Sequence, residues 1–481
     1  MKSLKVQFLA AEAAPLIKVG GLGDVAGSLP GVLRGLPAAP DVRVFLPLYP
    51  SLKKQSLNLK PVAGFEIAHQ DGPILAQAFS GEIEGIPYYF IDGEPVAAAS
   101  KVYSGDNAQD GTKFTFFSLA AMELVKLLDW KPDILHAQDW HTAPAVYHLR
   151  LIRDSSPFFK ETRSLLTVHN LPYLGHGAEG ALHAFGLPRA HLSPLPDWAE
   201  GLPLPLGLLA ADKINTVSSG YAEEMLTPAF GSGLEDFLRS RKKDISGILN
   251  GLDLEAWNPE SDPDLPVNYS TGTLSARAEN KRLLQQEAGL EIDPDVPLLA
   301  MINRMDYQKG VDLVPAALRM IKDLNWQAVI LGTGDPALED AVRQLDQESL
   351  RVKAILKYDG SLSHRIYGGS DLILIPSRYE PCGLTQMIGM RYGCVPLARS
   401  TGGLKDTIGD YQRGDSRSST GFLFKEADAS SLAKAIRRAL AVYGDQRRWQ
   451  GLQRRGMKQD FSWEKSAEKY LELYKALLIK V

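Results

Sequence analysis

Cysteine is nearly absent from this sequence: Cys382 and Cys394 are the only two in 481 residues. Two thiols make no disulfide framework and lack the spaced partners of a structural zinc site, so a reduced, cytoplasmic protein is expected. Long apolar runs are missing as well. Nothing approaches the roughly 20 consecutive apolar residues that span a bilayer, and no membrane partner is expected. Lys2 and Lys5 precede small apolar residues in the manner of a secretory signal, but Gln7 and Glu12 interrupt the run. Positive charge is not in excess, since 53 Lys and Arg against 57 Asp and Glu leave a formal net charge of -4. Such a balance does not neutralise a nucleic-acid backbone, which excludes a nucleic-acid partner.

What is present is enough apolar material for more than one core. The chain is 44% hydrophobic, and single cores stop growing beyond roughly 250 to 300 residues. Short apolar runs bounded by turn residues predict strands at 6–10, 42–46, 134–136, 165–168 and 214–217, then again at 298–302, 328–331, 354–356, 372–375 and 395–398. Helix-like segments between them predict an α/β protein of two doubly wound Rossmann-like domains. The expected boundary is Asn250-Gly251-Leu252-Asp253 and the polar, proline-containing stretch 258–269. This gives domains at 1–248 and 249–455. In the remaining segment, 456–481, residues Ala467, Tyr470, Leu471, Tyr474, Leu477 and Leu478 share one helical face, so it is expected to dock back on the first domain. The basic run Arg239, Arg241, Lys242 and Lys243 reads as solvated surface.

Open parallel sheets bind ligands outside the carboxyl ends of their strands, and two such domains facing each other would form a cleft. The unusual residues of this chain fall at those ends. Lys18-Val19-Gly20-Gly21-Leu22-Gly23-Asp24 follows the first predicted strand and leads into a helix, a setting in which backbone amides favour phosphate. Its glycine spacing departs from the dinucleotide fingerprint, because Gly27 comes four positions after Gly23 rather than three. His136-Ala137-Gln138-Asp139-Trp140-His141 and His169-Asn170 offer polar groups and a tryptophan suited to sugar hydroxyls and a pyranose face. Two histidines five apart without a helical His-Glu-x-x-His pattern specify no zinc site. In the second half, Arg304 and Lys309 stand just past a strand, where two cations suit a diphosphate. Pro376-Ser377-Arg378-Tyr379-Glu380-Pro381-Cys382-Gly383-Leu384-Thr385 follows another strand and places Glu380 at a turn, and Ser400-Thr401-Gly402-Gly403-Leu404 supplies a glycine turn suited to phosphate or hydroxyl groups.

Together these blocks, with Thr167-Val168-His169-Asn170 and Gly247-Ile248-Leu249-Asn250-Gly251, resemble the glycogen and starch synthase family over nearly the whole chain, particularly its bacterial members that use ADP-glucose. The resemblance implies a GT-B arrangement, two Rossmann-like domains across a deep cleft that closes on its substrates. It further implies glucose transfer from ADP-glucose to the non-reducing end of a glycogen or maltodextrin chain, with retention and without cofactor or metal. The Asp-x-Asp sequences at Asp262 and Asp293 lie in proline-containing loops. By the same resemblance Lys18, Gly20, Gly21, Asp24, Thr401, Gly402 and Gly403 hold the phosphates and Tyr358 stacks on adenine. Arg304 and Lys309 stabilise departing ADP, Glu380 and Asp139 bind the transferred glucose, and His169 orients it. His141, Asn170, Asn250, Cys382 and Gly383 lie on the sugar and acceptor side. Glu380 is either nucleophile or electrostatic stabiliser, the second being preferred. Ile388, where broader retaining transferases carry a second glutamate, points toward the glycogen synthase branch, and two positions depart from the family pattern: Lys113 where the family has arginine, and Pro205 near a usual lysine. A UDP-glucose-dependent transferase and a non-catalytic glucan-binding protein are the competing readings, and oligomeric state is left open.

Overall fold

A computed structural model describes residues 3–53, 57–412 and 418–479. The chain divides into two compact units, one formed by Met1–Gly251 with Trp463–Val481 and the other by Leu252–Ser462. No helix among the described residues is long and apolar enough to cross a membrane.

Among the described residues the first unit is built on nine strands: β1 (Lys5–Leu9), β2 (Asp41–Pro47), β3 (Lys60–Ile67), β4 (Ile74–Ile83), β5 (Ile86–Gly93), β6 (Ile134–Gln138), β7 (Arg163–Val168), β8 (Lys213–Thr216) and β9 (Ile245–Gly247), in the order β3-β4-β5-β2-β1-β6-β7-β8-β9. Strand β1 lies between parallel partners, with Val6 opposite both Val42 and Ile134. Val6, Phe8 and Leu9 are fully buried, and so is Gln7 between them, because the sheet is covered on both faces. The edge β3-β4-β5 is antiparallel. It was not expected from the sequence, although Glu84-Gly85 between β4 and β5, both with positive φ, is the two-residue turn of a hairpin.

The helix Trp463–Leu478 belongs to this first unit. Its buried Tyr474 hydroxyl pairs with His136 Nδ1 at 2.8 Å, and Asn215 donates to the Tyr470 hydroxyl at 2.9 Å. His136 is also bonded to Thr167 Oγ1, so this fully buried ring is a core connector rather than a sugar ligand. In the basic run, Arg241 departs from the solvated reading: its guanidinium caps the carbonyls of Leu208, Leu209 and Ala211 at the end of the helix Pro203–Ala210.

Among the described residues the second unit holds six parallel strands, β10 (Leu298–Ile302), β11 (Gln327–Leu331), β12 (Val352–Ile355), β13 (Leu372–Ile375), β14 (Val395–Arg399) and β15 (Phe422–Phe424), in the order β12-β11-β10-β13-β14-β15. It extends past residue 455 because the helix Gln446–Met457 buries Trp449 and Leu452 in this unit's own core. Its end at Ser462 and its start at Leu252 thus differ by a few residues from the boundaries read in the sequence.

Candidate active site

In the second unit the polar groups gather at the carboxyl ends of β10 and β13. Asp306 caps the turn after β10, accepting from the Lys309 amide at 2.9 Å and from Arg304 Nε at 2.5 Å. Gly310 then takes φ +67, and a Cβ there would lie 2.2 Å from the Pro376 carbonyl oxygen, so the turn can press against the segment after β13 only as glycine. That contact delivers Lys309 Nζ to both oxygens of Glu380, at 2.8 and 2.7 Å, while Ser377 Oγ donates to Glu380 Oε2 at 2.9 Å. The pair is nearly dry, with the Lys309 and Glu380 side chains only 18% and 10% exposed. Arg304 differs: its side chain is 64% exposed and is held by Asp306, so the two cations read as one clamp are fixed in unlike surroundings.

The glycine turn after β14 packs against the segment that carries Glu380. A Cβ on Gly402 would lie 2.0 Å from the Glu380 carbonyl oxygen, and one on Gly403 would lie 2.0 Å from that of Cys382. The Gly403 amide, expected to face phosphate, donates instead to the Glu380 carbonyl at 3.0 Å. Thr401 is fully buried beside them. Gly383, at φ +77, abuts the Gln386 carboxamide, which bonds back to the Cys382 and Gly383 carbonyls and to Thr407. Cys382, a buried thiol outside any disulfide, lies within this frame. Gly383, Gly402 and Gly403 therefore fix the backbone that carries Glu380. Tyr358, just after β12, is 89% exposed and its ring is open to a planar ligand. Asp262, Asp264 and His364 lie within 4.8 Å of one another. Asp262 Oδ2 already accepts from the Tyr392 hydroxyl and pairs with His364 Nδ1, which binds these side chains to each other.

The first unit carries its own cluster at the ends of β1, β6 and β7. Asp139 begins the helix Asp139–Ile152 with φ +55, an uncommon conformation that Asp tolerates and that functional sites often hold. Its carboxylate accepts from the His169 amide at 2.7 Å and from that of Asn170. Burial outweighs those bonds and pushes the carboxyl up to about 7. His169 Nε2 meets the Gln138 carboxamide oxygen at 2.8 Å, so Nε2 carries the proton and Nδ1 is left as acceptor. Burial lowers His169 to about 4 and His141 to about 3, so both rings are neutral near pH 7. Gln138 Nε2, His141 Nδ1, Asn170 Oδ1 and Asn250 Oδ1 are buried and have no hydrogen-bond partner among the described residues. Buried polar atoms left in this condition are costly.

The loop before the helix Gly21–Gly35 carries internal contacts of its own. Lys18 Nζ pairs with Asp24 at 2.7 Å, and Gly21 is exposed. The Val19 and Gly20 amides, however, both donate to Glu12 Oε2, the Gly20 bond being 3.0 Å long. A buried carboxylate thus occupies the position assigned to phosphate at Gly20, and burial raises its pKa. Lys113, read as an acceptor-loop departure, is fully buried: it bonds Asp110 Oδ1 and the Val102 carbonyl, both at 2.6 Å. Pro205 is buried within the helix Pro203–Ala210. Glu12, Asp306, Ser377 and Gln138 were not singled out from the sequence as site residues. The signal for Glu12 was a lone acid in an apolar run directly after a strand.

Comparison with known proteins agrees with this architecture. A family model described as starch synthase catalytic domain matches residues 5–240, and one described as glycosyl transferases group 1 matches residues 285–452. The chain is 39% identical to a glycogen synthase of Syntrophotalea carbinolica over 98% of both chains, and 40% identical to one of Anaeromyxobacter dehalogenans over 98% of this chain and all of that one. Among solved structures, the catalytic domain of starch synthase IV from Arabidopsis thaliana, bound to ADP and acarbose, superposes with TM-score 0.89 at 34% identity, covering all of both chains. A sucrose-phosphate synthase from Thermosynechococcus elongatus, at 19% identity and TM-score 0.63 over 98% of this chain and 99% of its own, shares the GT-B fold. With two Rossmann-like units and full-length likeness of this degree, the chain belongs to the glycogen and starch synthase family of glucan-elongating glycosyltransferases.

Proposed function

We propose that the chain transfers glucose from ADP-glucose to the non-reducing end of an α-1,4-glucan with retention of configuration, releasing ADP. The observation that carries this reading is the nearly dry Lys309–Glu380 pair with Ser377 on the same carboxylate. As the bond between the glucose anomeric carbon and the diphosphate oxygen breaks, its electron pair leaves with ADP and positive character grows on the carbon. Lys309 and Arg304 offer cations to the leaving group, and Glu380 offers negative charge to the sugar. The acceptor hydroxyl attacks from the face that ADP vacates, and its proton passes to the departing phosphate oxygen. Both Glu380 oxygens are engaged by Lys309 and one also by Ser377, which weakens the carboxylate as a nucleophile and supports its role as stabiliser.

The first unit supplies buried hydrogen-bonding groups for the glucose: His169 oriented by Gln138, Asp139 fixed by two amides, and the atoms of His141, Asn170 and Asn250 without a partner among the described residues. Lys18 adds a cation and Tyr358 a ring for the adenine. The nucleotide bound by the Arabidopsis relative supports ADP as the leaving group. Purified protein given ADP-glucose and maltodextrin is expected to release ADP and lengthen chains that an α-1,4-specific amylase digests, with UDP-glucose much poorer. Equal turnover of the two donors, or a product resistant to that amylase, would overturn the assignment.

A further inference from the structure

We infer that Glu12 is a positioning residue for donor binding, an internal carboxylate that sets the Lys18 loop in its binding conformation before any phosphate arrives. The inference rests on the reading of that loop as a donor contact.

Glu12 lies three residues beyond β1 and is 1% exposed. Its Oε2 accepts from the amides of Val19 and Gly20, the two residues that follow Lys18. Its Oε1 accepts from the Tyr103 hydroxyl at 3.0 Å, and the Tyr103 ring lies 5.1 Å from that of His141. One carboxylate therefore joins the end of the central strand, the glycine loop and the segment beside a sugar-side histidine. Successive backbone amides turned inward form the kind of concavity that in other proteins waits for an anion. Here the anion belongs to the chain, and the loop does not need the ligand to hold its shape.

The consequence concerns binding. A loop already fixed loses little conformational freedom when ADP-glucose docks, so Lys18 meets the diphosphate without an ordering cost. A methionine at position 12 would fill the space but accept nothing, leaving two amides unsatisfied and the loop free to turn outward. A glutamine would retain an acceptor oxygen for the amides and a nitrogen to meet the Tyr103 oxygen.

Steady-state kinetics on the full chain test this. Glu12→Met is expected to raise the KM for ADP-glucose about tenfold or more, with kcat and the maltodextrin KM within about twofold of wild type. Glu12→Gln should restore the donor KM to within about threefold. If Glu12→Met does not fold, Glu12→Asp carries the test, because the shortened side chain draws its carboxylate back from the amides and should raise donor KM in the same way. Lys18→Ala, run in parallel, separates the two levels of the reading. A raised donor KM in Lys18→Ala with an unchanged one in the Glu12 variants would overturn the role of Glu12 alone. An unchanged donor KM in Lys18→Ala would sink the donor-loop reading and this inference with it.

Discussion

The two polar clusters are made of opposite materials. In the second unit, charge is explicit and internally paired, as with Lys309 on Glu380 and Asp306 on Arg304. In the first unit, histidines are held neutral by burial, a carboxyl is pushed up to about 7, and several buried polar atoms lack partners among the described residues. The difference matches the two demands of glucosyl transfer. A leaving diphosphate needs fixed charge, whereas a glucose ring with many hydroxyls needs neutral donors and acceptors that it alone satisfies.

The largest expected effect falls in the charged cluster. Lys309→Ala and Glu380→Gln should each lower kcat by about 10²- to 10³-fold, measured by ADP release, the scale typical of losing a preorganised electrostatic group. Lys309→Ala also leaves a nearly buried carboxylate without its cation, and a loss of about 3 kcal/mol of stability is expected in urea unfolding. Comparable losses in kcat from single changes at His141 or Asn170 would erase the contrast between the clusters.

Next comes the backbone frame. Gly403→Ala puts a methyl group into the Cys382 carbonyl, and a cost of about 1–3 kcal/mol in stability is expected. Displacing Glu380 by a fraction of an ångström should reduce kcat by at least about tenfold. A fully active Gly403→Ala enzyme would show that the close approach does not set the carboxylate.

The neutral cluster should reveal itself through pH. Asp139 has a folded pKa near 7 against an ordinary 3.8, so the folded state holds more protons between those values and its contribution to stability is lost as pH rises through 7. His141 behaves oppositely: with a folded pKa near 3 against 6.5, its unfolded state binds the proton, and stability falls as pH drops below 6.5. In urea midpoints taken from pH 4 to 8, Asp139→Asn and His141→Asn should remove slopes of opposite sign, each at most about 1.4 kcal/mol per pH unit. Slopes of the same sign would contradict the assignment. The smallest effect belongs to Tyr474→Phe, which removes the bond to His136, a ring bonded within the core. About 1 kcal/mol of stability should be lost with kcat unchanged.

Much of this was legible in the sequence. The parallel strands announced themselves as apolar runs because a sheet covered on both faces has no polar side. The hairpin β3-β4-β5 did not, since its half-exposed strands follow a weaker pattern and its Glu84-Gly85 turn is a single local cue. Motifs located Lys309, Glu380 and Asp139 at strand ends, but not what their neighbours do. That Gly403 serves Glu380, or that Glu12 holds the Gly20 amide, depends on contacts between segments distant in sequence, which no local pattern records.

The central claim is that Lys309 and Glu380 act as one device, and a double-mutant cycle on kcat tests it most directly. Groups acting as a unit are strongly non-additive. With Lys309→Ala, Glu380→Gln and the double variant compared by ADP release, the double should lose little more than the worse single. Two independent losses that multiply, or a single variant retaining near-normal turnover, would contradict it.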